Sequence, residues 1–219
     1  MSRKPRTTQK IFKVFCEGST EYHYIDEMRR QKNLSITLKL TNMEGGGYSR
    51  FLEQIEIDGT TNCLAKFIII DGDRAVKEEG EKKNLQKLID FCKRQNKYGK
   101  IPHFLIVTYP DFEYIACLHM PKYKGQDAAH YLTKELGYQS IDAFKADAKV
   151  YHILNTNGNS YEQMLPLLKK ENCLVINKYS ISEKQYEIKI PTTTCNWDNV
   201  DRKGSNINEF FEVIKRFYT

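Results

Sequence analysis

The stretch FIIIDGDRA, from Phe67 to Ala75, decides the fold and raises the first question about function. Its unbroken apolar run predicts a strand that is buried on both faces, as in a parallel sheet. The strand leads into Asp71 and Asp73, which flank Gly72. On an extended segment these two carboxylates point to the same side, and the glycine between them leaves room for close approach. Two carboxylates at the edge of a core repel each other, so they need a cation or hydrogen-bond donors nearby.

Strand-like and helical patterns alternate around this stretch. The strand-like runs cover residues 11–16, 35–40, 65–71 and 103–109. A segment with helical spacing of its apolar residues follows each of them, which predicts a series of βα units. Such a series forms a largely parallel sheet that helices cover on both faces. We therefore expect an α/β fold with an open, mainly parallel sheet flanked by helices.

The second half of the chain has a different pattern. Residues 126–170 read as helical, and a short strand is expected at 172–177. The last segment, 207–218, has the apolar spacing of an amphipathic helix. Three parts are thus expected: a basic arm at residues 1–10, an α/β domain at 11–125, and a helical C-terminal extension at 126–219 that packs on the sheet.

The overall composition is that of a globular protein without a membrane segment. Of the 219 residues, 40% are hydrophobic and 28% are charged. No apolar run approaches the roughly 20 residues that a membrane helix needs. The six cysteines form no C-x-x-C pair, which argues against a zinc site and favours reduced thiols in the cytoplasm. Much of the net charge of +6 lies in the basic arm, which either contacts phosphates or remains a solvated terminus.

Acidic residues follow the predicted strands at the edge where open parallel sheets bind ligands. These acids are Glu17 and Glu21 after the first strand, Asp71 and Asp73 after the third, and Asp111 and Glu113 after the fourth. Carboxylates that converge in one crevice require a divalent cation, and hard oxygen ligands suit Mg²⁺ or Mn²⁺ rather than zinc. Taken singly, an acid at a strand end can also cap a helix or face solvent. The order of the acids on the strand pattern nevertheless predicts a metal site.

Two neighbouring features are candidates for binding a substrate phosphate. Gly46 and Gly47 lie in the loop EGGGY, whose backbone N–H groups could contact a phosphate. The loop lacks the G-K-[ST] of a P-loop, so a flexible turn also explains its glycines. Arg74, beside the aspartates, either neutralises a phosphate or pairs with a carboxylate. Glu113 likewise either completes the metal site or belongs to the N-terminal cap of its helix.

Three blocks of the sequence resemble the signature blocks of the RloB family. The blocks are CEGSTEYHY (16–24), IIIDGDR (68–74) and TYPDFEYIACLH (108–119). The residues that match the family patterns V-E-G-x-T-E-x-x-Y, an aspartate pair after a strand, and S-N-P-x-F-E-x-W are Glu17, Gly18, Thr20, Glu21, Tyr24, Asp71, Asp73, Pro110, Phe112 and Glu113. The resemblance covers about residues 10–170. This sequence departs from the family pattern at residues 108–109 and at Ile115. These positions neighbour the carboxylates but do not include them, so the departures bear on substrate recognition more than on catalysis.

The resemblance implies a Toprim-like fold, related to the nuclease domain of OLD-family proteins. It also implies a metal-dependent nuclease that serves a bacterial anti-phage defence system, with a partner ATPase. Asp71 and Asp73 would be the main ligands of Mg²⁺ or Mn²⁺, and Glu17 a ligand or a general acid/base. Glu21 would be a ligand of a second ion, and Glu113 could complete the site.

The substrate under this reading is a nucleic acid, either DNA or an RNA such as tRNA. Because a domain of this size has little surface for sequence recognition, we expect specificity to come from a partner or from a homodimer. The alternative is a Toprim-like scaffold that binds metal, nucleotide or a partner ATPase and cuts nothing. The acids favour the nuclease, since a scaffold gains nothing by holding mutually repelling carboxylates together.

Overall fold

The computed structural model of the protein describes residues 11–32, 34, 37–182 and 187–217. Within these residues the strands are β1 (Ile11–Cys16), β2 (Thr37–Asn42), β3 (Ala65–Asp71), β4 (His103–Tyr109), β5 (Val175–Ser182), β6 (Glu187–Cys195) and β7 (Gly204–Ser205). The basic arm predicted at residues 1–10 lies outside the described residues.

Helices connect the strands of the first half and make up much of the second. In chain order they are α1 (Ser19–Gln31), α2 (Gly47–Ile57), α3 (Asp73–Lys77), α4 (Glu79–Tyr98), α5 (Phe112–Leu118), α6 (Ala128–Leu136), α7 (Ile141–Lys145), α8 (Val150–Leu154), α9 (Tyr161–Met164) and α10 (Ile207–Lys215). Each of the strands β1 to β4 is followed by at least one helix, as the series of βα units predicts.

A five-stranded sheet forms the centre of the fold, with the strand order β2-β1-β3-β4-β7. The pairs β1–β2, β1–β3 and β3–β4 are parallel. The short strand β7 pairs with the end of β4 in the antiparallel direction. The predicted α/β fold, with a mainly parallel sheet flanked by helices and a C-terminal helix, is therefore confirmed.

Strand β3 explains why its apolar run is continuous. Phe67 and Ile69 pack into a core on one face of the sheet, together with residues of α1, α5 and α10. Ile68 and Ile70 pack into the core on the other face, against α2 and α4. A strand that is covered on both faces has no solvent-facing positions for polar residues, so the prediction of a doubly buried strand is confirmed.

The C-terminal extension is only partly helical, which differs from the expectation. Strands β5 and β6 form a separate antiparallel pair within it. The strand predicted at 172–177 overlaps only the start of β5, which runs to Ser182. The sequence gives no strand signal for β6, because Pro191 and a run of threonines interrupt its apolar pattern. Phe210 of α10 contacts Phe67 of β3, with 5.1 Å between the ring centroids. The extension therefore shares a hydrophobic core with the sheet.

The cysteines of the chain are all free, and most of them are buried. A buried thiol packs as a small apolar group, which agrees with the reading of these residues as reduced and structural. No helix in the described part of the chain is long and apolar enough to cross a membrane.

Candidate functional site

The carboxyl ends of β1, β3 and β4 lie at one edge of the sheet, and an acid ends or follows each of them. The parallel register pairs Cys16 with Ile69, and Asp71 with Thr108. Glu17 continues β1, and its backbone N–H donates to the carbonyl of Ile69 over 3.1 Å. The strand order thus places the predicted acids of these strands at the same edge.

Glu17 is held by contacts to the neighbouring strand and helix. Its Oε2 accepts a hydrogen bond from the backbone N–H of Asp71 over 2.9 Å. Its Oε1 lies 3.6 Å from Nε of Arg74. Burial raises the pKa of Glu17, while the Asp71 N–H and the Arg74 guanidinium oppose that shift. Of the two roles considered for Arg74, pairing with a carboxylate is the one that its contact supports.

Glu21 and Glu113 come from different sequence blocks and interact electrostatically. They are almost fully buried, with 3% and 5% of their surface exposed. Burial raises the pKa of Glu21 to about 8, and the carboxylates of Glu113 and Glu17 add to the shift. Glu113 accepts a hydrogen bond from Oγ1 of Thr20 over 3.2 Å. The raised pKa of Glu21 favours its protonated form relative to an exposed glutamate.

Asp71 interacts mainly with other acids. Burial raises its pKa well above its ordinary value, and the neighbouring groups that add to the shift are carboxylates, with Glu21 first among them. We call the following four residues the acidic cluster: Glu17, Glu21, Asp71 and Glu113. Mutual repulsion inside this cluster costs stability, since each charged member disfavours ionisation of the others.

Glu113 lies at the start of α5 but is not its N-cap residue. The N-cap of α5 is Asp111, whose Oδ1 accepts a hydrogen bond from the backbone N–H of Tyr114 over 3.1 Å. Glu113 instead lies in the first turn, and its Oε2 is 3.4 Å from Nζ of Lys145. Glu113 is thus not the N-cap residue, but its carboxylate interacts with its own backbone N–H in the first turn as well as with the acidic cluster.

Asp73 does not sit beside Asp71 as the extended-segment argument predicted. Strand β3 ends at Asp71, and α3 begins at Asp73. Between them Gly72 has a helical ψ of −8°, whereas the D-x-D spacing puts both side chains on one side only in extended backbone. The Asp73 carboxylate pairs with Lys77, one helical turn away, over 2.7 Å. Asp73 still adds to the raised pKa of Glu17, after the larger effect of burial.

The glycine loop is explained by its own backbone and by a nearby acid. Gly46 and Gly47 have φ values of 104° and 77°, which favour glycine. The backbone N–H of Tyr48 donates to Oε2 of Glu81 over 3.0 Å. A Cβ atom at Gly47 would lie 2.8 Å from the same oxygen. The positive φ angles of Gly46 and Gly47 explain the glycines as part of a turn, and the N–H of Tyr48 is bonded to Glu81 rather than free for a phosphate.

Sequence reasoning missed two residues that contact the acidic cluster. Lys145, the last residue of α7, pairs with Glu113. The hydroxyl of Tyr48 donates to the carbonyl oxygen of Asp71 over 2.7 Å. No local pattern could identify Lys145, because its helix belongs to the extension and not to any of the three blocks. The only signal for Tyr48 is its place directly after the glycine loop.

The donor chemistry of the acidic cluster fits a hard divalent cation such as Mg²⁺ or Mn²⁺. Carboxylate oxygens are the ligands these ions prefer. Burial is the main cause of the raised pKa values of Glu21 and Asp71, and repulsion between carboxylates is the second. A bound cation would relieve that repulsion. However, no three His, Cys, Asp or Glu side chains in the described ranges are placed to hold a metal ion as they stand. Arg74 and Lys145 pair with members of the cluster instead. Metal binding therefore requires side chains to rearrange.

No family model, no curated protein and no solved structure matches the chain. The family that the three sequence blocks suggest therefore stays a prediction. The chemistry of the site has to be judged from its acids, their burial and their partners.

Proposed function

We propose that the protein is a metal-dependent nuclease that hydrolyses phosphodiester bonds in DNA or RNA, with its active site at the acidic cluster. The observation that carries the proposal is that Glu21, Asp71 and Glu113 all have raised pKa values. Burial is the largest cause for each of them. Neighbouring carboxylates add to the shift: Glu113 for Glu21, Glu21 for Asp71, and Asp111 for Glu113. These acids come from three separate sequence blocks and lie at the edge where open α/β sheets bind ligands. Strongly perturbed acids gathered in this way are typical of catalytic or metal sites.

The members of the cluster have distinct roles under the proposal. Asp71 and Glu17 would hold the cation, because they lie at the ends of β3 and β1 and are already joined by a hydrogen bond of 2.9 Å. When bound, a divalent cation would neutralise the cluster and polarise a phosphodiester. Glu21, with a pKa raised by burial to about 8, is suited to take up or release a proton near neutral pH. Asp73 would serve as an additional ligand once released from Lys77.

Two cations beside the cluster would act on the substrate. Arg74 is 41% exposed in its side chain and lies 3.6 Å from Glu17, so it can reach a phosphate that approaches from solvent. Lys145 is 44% exposed in its side chain and lies 3.4 Å from Glu113. A phosphodiester is an anion, and side-chain cations placed around it stabilise the charge that develops during hydrolysis.

The biological setting is part of the proposal. The resemblance to the RloB family supports an effector of a bacterial anti-phage defence system that acts in the cytoplasm. A partner ATPase or a homodimer would then supply specificity. These points are supported only by the three sequence blocks and, for the compartment, by the free cysteines.

Cleavage of nucleic acid tests the proposal directly. Purified protein is incubated with supercoiled plasmid and with total tRNA in Mg²⁺, in Mn²⁺ or in EDTA, and products are resolved on gels. We expect cleavage only with a divalent cation. Asp71→Asn should reduce the rate by more than about 100-fold, because even residues that only support a metal ligand contribute about 10- to 100-fold.

The matched control is Asp90→Asn. Asp90 is an exposed aspartate on α4 whose Oδ1 accepts a hydrogen bond from Nε2 of Gln86 over 2.9 Å. The control should cleave as fast as the unaltered protein. Cleavage that persists in EDTA, or an Asp71→Asn variant with full activity, would show that the acidic cluster is not the active site.

The scaffold alternative has one observation in its favour. The acidic cluster is partly neutralised from within, by Arg74 and Lys145, and its described side chains do not form a ready metal site. A protein of this kind could bind metal or a partner without hydrolysis. If neither nucleic acid is cut while calorimetry detects metal binding that Asp71→Asn abolishes, the scaffold is the correct interpretation.

A further inference from the structure

Outside the acidic cluster, contacting tyrosines lead from α5 towards a cavity. The ring centroids of Tyr114 and Tyr123 are 6.5 Å apart, and those of Tyr123 and Tyr131 are 5.1 Å apart. Tyr114 and Tyr123 are half-buried, so part of each ring faces solvent. We call Tyr114, Tyr123 and Tyr131 the tyrosine track. Aromatic rings that remain at the surface offer flat faces on which other planar groups can stack.

The tyrosine track ends at a cavity of about 480 Å³. Residues of α6 and α8 and of the loops after α5 and α8 line this cavity. Tyr131, Leu136 and Ile153 form its apolar part, and Glu135 and Asn159 contribute polar groups. Its volume falls within the range of about 300–1,000 Å³ that is usual for small-molecule sites. A cavity that combines apolar walls with several donors and acceptors can hold a nucleobase away from its neighbours.

Lysines accompany the tyrosine track. Nζ of Lys203 lies 5.9 Å from the ring centroid of Tyr114. Lys122 lines the cavity, and Lys124 is exposed beside it. The segment 119–126 that carries these two lysines contains no acid, while Asp127 follows it directly and Glu135 lines the cavity. Basic side chains beside exposed aromatic rings match the chemistry of a single strand, whose phosphates meet the lysines while its bases stack on the rings.

The tyrosine track begins next to the acidic cluster. Tyr114 directly follows Glu113 in α5, a helix of seven residues that spans roughly 10 Å. Asp111 is the N-cap residue of the same helix. Since consecutive Cα atoms are about 3.8 Å apart, the backbone of Tyr114 adjoins that of Glu113, and the tyrosine track begins on the helix that carries this acid.

We propose that the tyrosine track and its cavity bind an unpaired strand of nucleic acid, place one base in the cavity and lead the strand to the acidic cluster. This inference rests on the proposed nuclease function and deepens it, because it names single-stranded or unpaired nucleic acid as the substrate class. A double helix cannot use the same surface, since its bases already stack on one another.

Binding without cleavage tests this proposal separately from the nuclease. Fluorescence anisotropy is measured in EDTA at low ionic strength with a short labelled DNA strand, the same strand made abasic, and the duplex. DNA serves as the probe because stacking on aromatic rings does not depend on the sugar. The intact strand should bind at least about 5-fold more tightly than the abasic strand, which has the same phosphates but no bases to stack.

Two tyrosine variants locate the binding surface. Tyr123→Leu should remove the preference for the intact strand. Tyr98→Leu is the matched control, because Tyr98 is an exposed tyrosine on α4 with Nζ of Lys97 at 4.9 Å from its ring centroid, away from the tyrosine track. This control should keep the full preference.

Equal binding of intact and abasic strands, equal effects of the two substitutions, or no binding of any strand would each overturn the inference. The comparison of intact and abasic strands uses the unaltered protein, so it decides the matter even if Tyr123→Leu fails to fold. Base-dependent binding without any metal-dependent cleavage would retain this surface and reject the nuclease. Metal-dependent cleavage without base-dependent binding would retain the nuclease and reject the tyrosine track as its binding surface.

Discussion

Two regions of the protein hold buried carboxylates, one among other carboxylates and one among hydrogen-bond donors. In the acidic cluster, burial raises the pKa of Asp71 well above its ordinary value, and neighbouring carboxylates, with Glu21 the largest contributor, raise it further. Where β5 meets the central sheet, Glu209 of α10 is also buried, with 5% of its surface exposed. Its two carboxylate oxygens accept hydrogen bonds from the backbone N–H and the Nδ2 of Asn177, over 2.9 Å and 2.6 Å.

The network around Glu209 joins several elements. Nδ2 of Asn177 also donates to the carbonyl of Leu105 in β4 over 3.2 Å, and Oγ1 of Thr193 in β6 donates to Oδ1 of Asn177 over 2.9 Å. Burial raises the pKa of Glu209 to about 7, while its hydrogen bonds with Asn177 oppose the shift. A buried acid with such donors connects the hairpin, the sheet and α10. In the acidic cluster the members instead add to one another's raised pKa values, although Glu17 and Glu113 also accept hydrogen bonds and pair with Arg74 and Lys145.

Removing the Glu209 carboxylate is expected to have the largest effect on stability. Glu209→Ala leaves the backbone N–H of Asn177 and one of its side-chain N–H groups without an acceptor. At about 2 kcal/mol for each orphaned donor, the free energy of unfolding should fall by roughly 4 kcal/mol. Urea unfolding followed by circular dichroism measures the change.

The control for this loss is Glu212→Ala on the same helix. Glu212 is exposed, and it accepts a hydrogen bond from the hydroxyl of Tyr179 over 2.6 Å. Its removal should cost no more than about 1 kcal/mol. If the free energy of unfolding falls by the same amount in both variants, the buried, hydrogen-bonded Glu209 contributes no more to stability than an exposed glutamate.

The second prediction concerns pH. The folded pKa of Glu209 is raised by burial from 4.5 to about 7, so the stability linked to its protonated form is fully present below about pH 4.5. That contribution is lost as the pH rises through about 7, up to roughly 3 kcal/mol. Glu209→Gln cannot titrate at this position. The stability of the unaltered protein relative to this variant should therefore fall between pH 5 and pH 8, whereas a constant difference would contradict the raised pKa.

The third prediction concerns metal and the acidic cluster. A cation that binds only the folded protein stabilises it by about 2 kcal/mol at roughly 30 times its dissociation constant. In a protein of this size that raises the melting temperature by roughly 4 to 8 °C. We expect this shift with Mg²⁺ or Mn²⁺ in differential scanning calorimetry. Sodium chloride of equal ionic strength should not produce it.

Variants locate the metal effect. Asp71→Asn removes a charge from the centre of the acidic cluster, so it should abolish most of the shift. Asp90→Asn, which changes an exposed aspartate on α4, should keep all of it. A shift of the same size in both variants would place the metal somewhere other than the acidic cluster. The difference between the cluster and the hydrogen-bonded Glu209 would then not indicate a metal site.

The fold and the general place of the site could be predicted from the sequence. The continuous apolar run before Asp71 determines a strand buried on both faces, because only such a strand excludes polar residues from every position. Strands followed by helices determine a mainly parallel sheet, and parallel strands deliver the residues after them to one edge. The sequence pattern therefore predicts that Glu17, Asp71 and Glu113 lie at one edge of the sheet, whatever their side chains contact.

Only the tertiary structure decided how the side chains are partnered. The start of α3 at Asp73 turns that carboxylate towards Lys77, and the packing of α7 brings Lys145 to Glu113. The network that satisfies Glu209 depends in the same way on β5, which lies far from α10 in sequence. Local patterns report burial and backbone geometry, because both act between near neighbours in the chain. Whether a buried acid meets a donor or another acid depends on segments that only folding brings together.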